Sequence, residues 1–395
     1  MRMKQCVKNS LGTLAVLSAC LVGVSGNMQA QADQNAPTKI ESKTDFPSGT
    51  KQGLLLSPDT DNTPVSVTIS GDATKTAKST TIEAGKGTYA SFDQKYGSQL
   101  VSLFGISNDT QLKPVVLNAK YGVVGATTTG DPVTASVEIS NMQMGHSWDT
   151  GKMTAKPGIE FSNSLFDGFD SKGIKSMDFK ITFTDKKTNK EINFDKDAYI
   201  SWNSLNPNVI NPYNNGHAIE AVAYLSNDGY NKSYITNDSV IEQYKSPYDN
   251  SLTLTGGSKT PKQSYDEVVA EDKLGATGFQ KHSVSYLLSG TTQEFSINSI
   301  NPLEVGTDPI LSKSNPQDYW FAPSTATVFT PTAEKPTKKV VDPTTKADMN
   351  EKQVKDGQAL QYQVSQKVAY LGQDTLERYS SMTFTDKLPA GFVYK

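Results

Sequence analysis

The sequence predicts an all-β fold dominated by one large β-sandwich. Three observations carry that expectation: period-2 alternation recurs between residues 61 and 330, clusters of Gly, Asn, Asp and Ser punctuate the alternating runs, and no stretch sustains a long amphipathic helical period. In "MDFKITFTD", 177 to 185, Phe179, Ile181 and Phe183 share one face while Asp178, Lys180 and Thr182 share the other. That is the pattern of a half-buried antiparallel strand.

Residues 1–32 read as an export signal, because Arg2, Lys4 and Lys8 precede the apolar run "LGTLAVLSACLVGVSG", which is too short for a membrane span. Ala30 and Ala32 stand where a signal peptidase reads, giving a mature start at Asp33; "LSAC" offers the rival of a lipoprotein box acylated at Cys20. Both routes export the chain, and no membrane span is expected in what remains. Residues 33–60 are polar and without period, and read as a flexible leader. Strands follow at "VSVTIS" (65 to 70), "VTASVEIS" (133 to 140), "MDFKITFTD", "AIEAVAYL" (218 to 225), "SVSYLL" (283 to 288) and "QEFSINSI" (293 to 300), with a short helix near "SYDEVVAEDKL". After Phe329 the composition shifts to a Pro-Thr-Lys segment, then "QALQYQVSQKVAYLG" alternates and "SSMTFTDKLPAGFVYK" reads as a strand and a Pro-Gly turn. Residues 331–395 are therefore read as a linker and a partial Ig-like β-sandwich, too short to close by itself, as if the protein were truncated there.

Composition narrows the chemistry. Cys6 and Cys20 both lie in the signal, so cleavage at Asp33 leaves no thiol for a disulfide or a zinc site. The formal charge of −3 becomes more acidic once the three basic signal residues are gone, and Arg378 is the one arginine beyond them. Phosphate and nucleic-acid sites lean on the bidentate guanidinium, so nucleic acid is not expected as the main ligand, although lysine clusters leave weak polyanion capture open. No G-x-S-x-G, H-E-x-x-H or P-loop pattern occurs, and no enzymatic activity is expected.

Several segments, in their order along the chain, resemble the antigen I/II-type and glucan-binding protein C family of surface adhesins. The stretch "FTDKKTNKEINFDKDAYISWNSLN", Phe183 to Asn206, is similar to a hairpin of their lectin-like domain: an aromatic strand, a polar turn and a second strand ending in "SLN". "DYWFAPSTATVFTPTAEKPTK", 318 to 338, resembles the exit from that domain. "KPTKKV" (335 to 340) and "FTDKLP" (384 to 389) resemble the lysine strand and the acidic strand of the family's isopeptide-forming domains. The Ala-rich and Pro-rich repeats of antigen I/II are missing, so no long stalk is implied. The resemblance implies a lectin-like β-supersandwich over 61–330, followed by the partial isopeptide-forming domain. It implies a secreted Gram-positive cell-surface protein, wall-attached when complete, that binds a glucan-like polysaccharide or a glycoprotein in adhesion or aggregation. Capture of lipoteichoic acid or extracellular DNA, or a structural wall role without a ligand, are the alternatives. It further implies Lys338, or Lys339 if the register slips, as nucleophile and Asp386 as acid of an isopeptide bond, with burial lowering the lysine pKa and raising the acid's.

Two loops are candidate binding sites. Trp202 runs into "NSLNPNVINPYNNGH", 203 to 217, where Asn203, Asn206, Asn214 and Asn215 accompany Tyr213. Flat aromatics stack on sugar C–H faces while amides satisfy hydroxyls. Trp202 itself admits two readings, closing a core or facing a ligand. In "GHSWDTGK", 145 to 152, Trp148 and Asp149 frame either a groove or an ordinary turn. Tyr319, Trp320 and Phe321 read as core, with at least one pointing inward. "DTDN" (59 to 62) and "DGFD" (167 to 170) begin like calcium loops without the remaining ligands and read as solvated turns; calcium is the one cofactor in view, with no ligand named. His146, His217 and His282 lack zinc-ligand spacing.

Overall fold

The computed structural model describes residues 38–39, 53–57, 63–71, 77–84, 86, 96–127, 129–145, 157–209, 218–225, 233–236, 238–259, 263–273, 276, 278–300, 318–325, 337–350, 352–355 and 357–365. The signal segment with Cys6 and Cys20 lies outside them, as do Trp148, Asp149, Tyr213, Asn214, Asn215, Asp386 and "DTDN". The chain divides into two units, the larger spanning Gln34–Thr330 and the smaller including Pro331–Tyr370.

The larger unit is all-β, with two antiparallel sheets facing one another. One runs, in spatial order, Thr38–Lys39, Ser233–Ile235, Val284–Gly290, Phe194–Asn203, Tyr319–Ser324, Phe169–Lys172, Gly158–Ser162, Ser98–Leu103 and Ala77–Ile82. The other runs Ile241–Lys245, Thr253–Gly257, Ile219–Tyr224, Thr292–Ile300, Ile174–Asp185, Pro132–Met144, Val116–Thr127 and Leu54–Leu56, with Lys190–Glu191 and Ser66–Ser70 as side branches. The alternation in "MDFKITFTD" is realised as read: Phe179, Ile181 and Phe183 are buried, and Asp178, Lys180 and Thr182 face outward. Lys180 lies between Glu138 at 3.9 Å and Glu294 at 3.5 Å on that solvated face, pairs that contribute little in water.

Three local expectations change. The stretch from Phe183 is not one hairpin: after the turn only Lys190–Glu191 returns alongside Thr184 and Asp185, and the chain then crosses to the other sheet as Phe194–Asn203. The crossing is tied by an edge-to-face contact between Phe183 and Phe194 at 6.0 Å. The leader is not wholly solvated, because Leu54–Leu56 pairs with Gly125–Thr127 and buries Leu54 and Leu56 in the core. "DGFD" is no exposed turn either. Asp167 and Asp170 are buried, and Asp167 accepts a hydrogen bond from Ser162 Oγ at 2.9 Å. Gly168 between them has φ +84°, and a Cβ there would stand 1.9 Å from the Phe321 carbonyl oxygen, so only glycine lets this turn dock on its neighbour.

The expected helix is Tyr265–Glu271, opened by a capping box in which Ser264 and Glu267 exchange side-chain and backbone bonds. A helix of two turns depends heavily on its ends. Ser264→Ala is expected to lower stability by about 1 kcal/mol and to speed amide exchange selectively in this helix, both read by hydrogen-exchange mass spectrometry beside a denaturation curve; unchanged exchange there would show that tertiary contacts alone hold it.

In the smaller unit Thr337–Val341 pairs with Gln361–Ser365. Lys338 and Lys339 are both exposed: Lys338 Nζ lies 4.5 Å from the centre of the Tyr362 ring, and Lys339 is 3.9 Å from Asp348. The burial expected to activate an isopeptide-forming lysine is thus not present at either position among the described residues.

Candidate functional site

The strand Phe194–Asn203 sets the site by its alternation. Ala198, Ile200 and Trp202 enter the core between the sheets, while Tyr199, Ser201 and Asn203 take the outer face. Trp202 is fully buried and meets Phe179, Phe295 and Phe321 edge-to-face at 5.0, 5.2 and 6.1 Å. This corrects its candidacy as a ligand contact. The indole is a keystone joining residues of both sheets, and a surface ligand does not reach it.

The chain leaves the strand through Ser204, whose φ of +63° is costly for a non-glycine residue and turns the backbone into a buried polar loop. Leu205 N–H donates to the His282 carbonyl at 2.9 Å, Asn206 N–H to Glu220 Oε2 at 3.0 Å, and Asn208 N–H to the Ser258 carbonyl at 2.9 Å. Three asparagines then repeat one arrangement. Asn203 Nδ2 donates to the Ala322 carbonyl at 2.6 Å, Asn206 Nδ2 to Asp272 Oδ2 at 2.7 Å, and Asn208 Nδ2 to the Lys259 carbonyl at 3.0 Å. Each Nδ2 faces an acceptor, so rotating the amide by half a turn would set oxygen against oxygen. The orientation is therefore fixed. Among the described residues Oδ1 of Asn203, Asn206 and Asn208 has no hydrogen-bond partner, and neither has Asp272 Oδ1.

Charge reinforces the pattern. Burial, and then the charge of Asp272, push Glu220 well above the usual carboxylate range, against the opposing bond from Asn206 N–H. Burial also raises Asp272, although Asn206 and Ser204 bond to it. Beside them, burial pushes Glu271 up but the bonds from Lys281 at 2.6 Å, Gln263 at 2.6 Å and His282 Nε2 at 3.2 Å outweigh it and hold Glu271 below its ordinary value. The loop and its surroundings thus present acceptors whose own donors are already committed. These acceptors are buried, so only a hydroxyl or other donor that enters the loop would satisfy them.

Of the residues expected from sequence, Asn203 and Asn206 sit in this loop, Trp202 sits behind it in the core, and Tyr213, Asn214, Asn215, Trp148 and Asp149 lie outside the described residues. Asn208, Glu220 and Asp272 complete the site and go beyond the residues that sequence reasoning selects. Glu220 has a readable sign: in "AIEAVAYL" it shares a face with Val222 and Tyr224, both in the core, which places an acid on the inward register. Among the described residues no three or more His, Cys, Asp or Glu group together as metal ligands. No helix among them is long and apolar enough to cross a membrane.

The larger unit is an all-β double-sheet fold with a buried polar loop at the end of one strand. Residues 336–395 match the cell surface antigen I/II C2 terminal domain, so this segment is of the antigen I/II type. No curated protein matches the chain. Among solved structures, the chain is similar to the adhesin domain of PrgB from Enterococcus faecalis at 18% identity, covering 73% of this chain and 93% of that one with a TM-score of 0.45. The PrgB adhesin domain bound to DNA aligns at 20% identity over 80% and 98%, with a TM-score of 0.40. The glucan binding protein C of Streptococcus mutans aligns at 12% identity over 71% and 78%, again with a TM-score of 0.40.

Proposed function

We propose that this chain is a cell-surface adhesin whose larger unit holds a neutral polysaccharide or the glycan of a glycoprotein at the Asn203–Asn208 loop. The observation that carries the reading is the set of fixed amides with free Oδ1 atoms beside Glu220 and Asp272. Sugar hydroxyls that enter the loop would supply the donors these buried acceptors lack. The antigen I/II match at the C-terminal segment supports a surface location. The acidic neighbours disfavour polyanions such as lipoteichoic acid or DNA at this loop, because each would bring like charge to a desolvated carboxylate.

The test is retention of the purified chain on immobilised α-glucan, lipoteichoic acid and DNA at two salt concentrations, with calcium or with chelator. Salt-tolerant capture of the neutral glucan is expected, with Asn206→Ala or Asn208→Ala weakening it roughly tenfold, about 1.4 kcal/mol, while both variants remain folded. Capture of polyanions alone, falling steeply with salt, would replace this reading by aggregation through charge.

A further inference from the structure

Trp320 occupies a face that the core does not use. Its neighbours Tyr319 and Phe321 point between the sheets and touch at 5.1 Å, while Trp320 faces outward, opposite Asp170 in the strand register. The indole Nε1–H donates to the Asp167 carbonyl at 2.7 Å, which fixes the plane of the ring. Its apolar surroundings are a cluster of two residues, Ala322 and Phe279. Phe279 belongs to the 3-10 turn Phe279–His282 and lies over the indole, with ring centres 6.1 Å apart and planes inclined by 22°. Ala322 is the register partner of Asn203, whose Oδ1 is buried without a partner among the described residues. A flat aromatic face and a free amide acceptor therefore share one outer face beneath a short turn.

The turn is held mostly by polar contacts. The Lys281 carbonyl accepts from Val240 N–H at 3.2 Å and from Ser239 Oγ at 2.9 Å, and the His282 carbonyl from Leu205 N–H. Glu271 clasps Lys281 Nζ and His282 Nε2. Gly278, at φ +98°, is the pivot before Phe279; a Cβ there would stand 2.6 Å from Glu271 Oε1. Water competes for contacts of this kind, and a sugar ring stacked on the indole would replace part of the apolar contact that Phe279 gives up.

We propose that the turn Phe279–His282 is a strap over a second sugar subsite, in which a neutral pyranose ring displaces Phe279 from the face of Trp320 and donates a hydroxyl to Asn203 Oδ1. The outer-face row also carries the buried carboxylates of Asp170 and Glu160, so the ring it accepts is uncharged. This rests on the glycan-binding reading and adds to it a subsite and a gate.

The full chain is compared with Phe279→Ala, which uncovers the indole, and with Glu271→Gln, which loosens the clasp without touching Trp320. Two readouts are taken: acrylamide quenching of tryptophan emission, and affinity for a neutral gluco-oligosaccharide. Quenching should rise in both variants, and affinity should rise roughly fivefold as the closed-state preference is removed. In Phe279→Ala the added sugar should shift the emission, and Trp320→Leu should abolish that shift. If the wild-type chain binds the sugar through Asn206 while both folded variants leave affinity and quenching unchanged, the strap is refuted and the adhesin reading stands. If the variants open but no chain binds the sugar, the sugar subsite and the glycan reading both fall.

Discussion

Trp202→Ala is expected to destabilise the larger unit by about 3–5 kcal/mol, the usual cost of removing a large buried aromatic. The indole contacts Phe179 and Phe295 of one sheet and Phe321 of its own, so its loss opens a cavity that neither sheet can close by side-chain movement alone. Trp202→Phe should cost less, because it keeps an aromatic partner for the three phenylalanines. Denaturant unfolding followed by circular dichroism measures both. If Trp202→Ala kept wild-type stability and lost glucan binding, the residue would return to the ligand surface.

The sequence made the strands legible where one face is dry and the other wet. Phe179, Ile181 and Phe183 alternate with Asp178, Lys180 and Thr182, and nothing but a half-buried strand satisfies both sets. The sheet crossing after Lys190–Glu191 was not legible, because "INFDKDAYISW" alternates as a strand in either sheet. What decides between them is the contact of Phe183 with Phe194, a tertiary fact. Leu54–Leu56 escaped because three leucines in a polar stretch are too short for a period. At the site, amide density exposed Asn203 and Asn206, whereas Asp272 follows a helix whose capping box signals only a helix. Glu271 and His282 likewise meet only because the turn folds back on the helix end.

Glu220→Gln is expected to flatten the pH dependence of stability. Glu220 and Asp272 have ordinary values of 4.5 and 3.8, and both are raised in the folded chain. The folded state therefore holds these protons more tightly than the unfolded state, and the stability they contribute is complete below those ordinary values. It is lost as pH rises through the folded values, at about 1.4 kcal/mol for each unit by which a group is raised. The glutamine introduced by this substitution would keep an acceptor for Asn206 N–H while removing the charge, and it would also relieve Asp272 of a neighbouring anion. Denaturation curves at pH 4, 6 and 8 should then lie closer together for the variant than for the wild type, with the remaining spread due to Asp272; an equal spread in both would place the burial cost elsewhere. The same charge links stability to binding. A hydroxyl-rich ligand that donates to this site should offset the cost of the buried carboxylates, so its stabilising effect at pH 8 should be larger for the wild type than for Glu220→Gln.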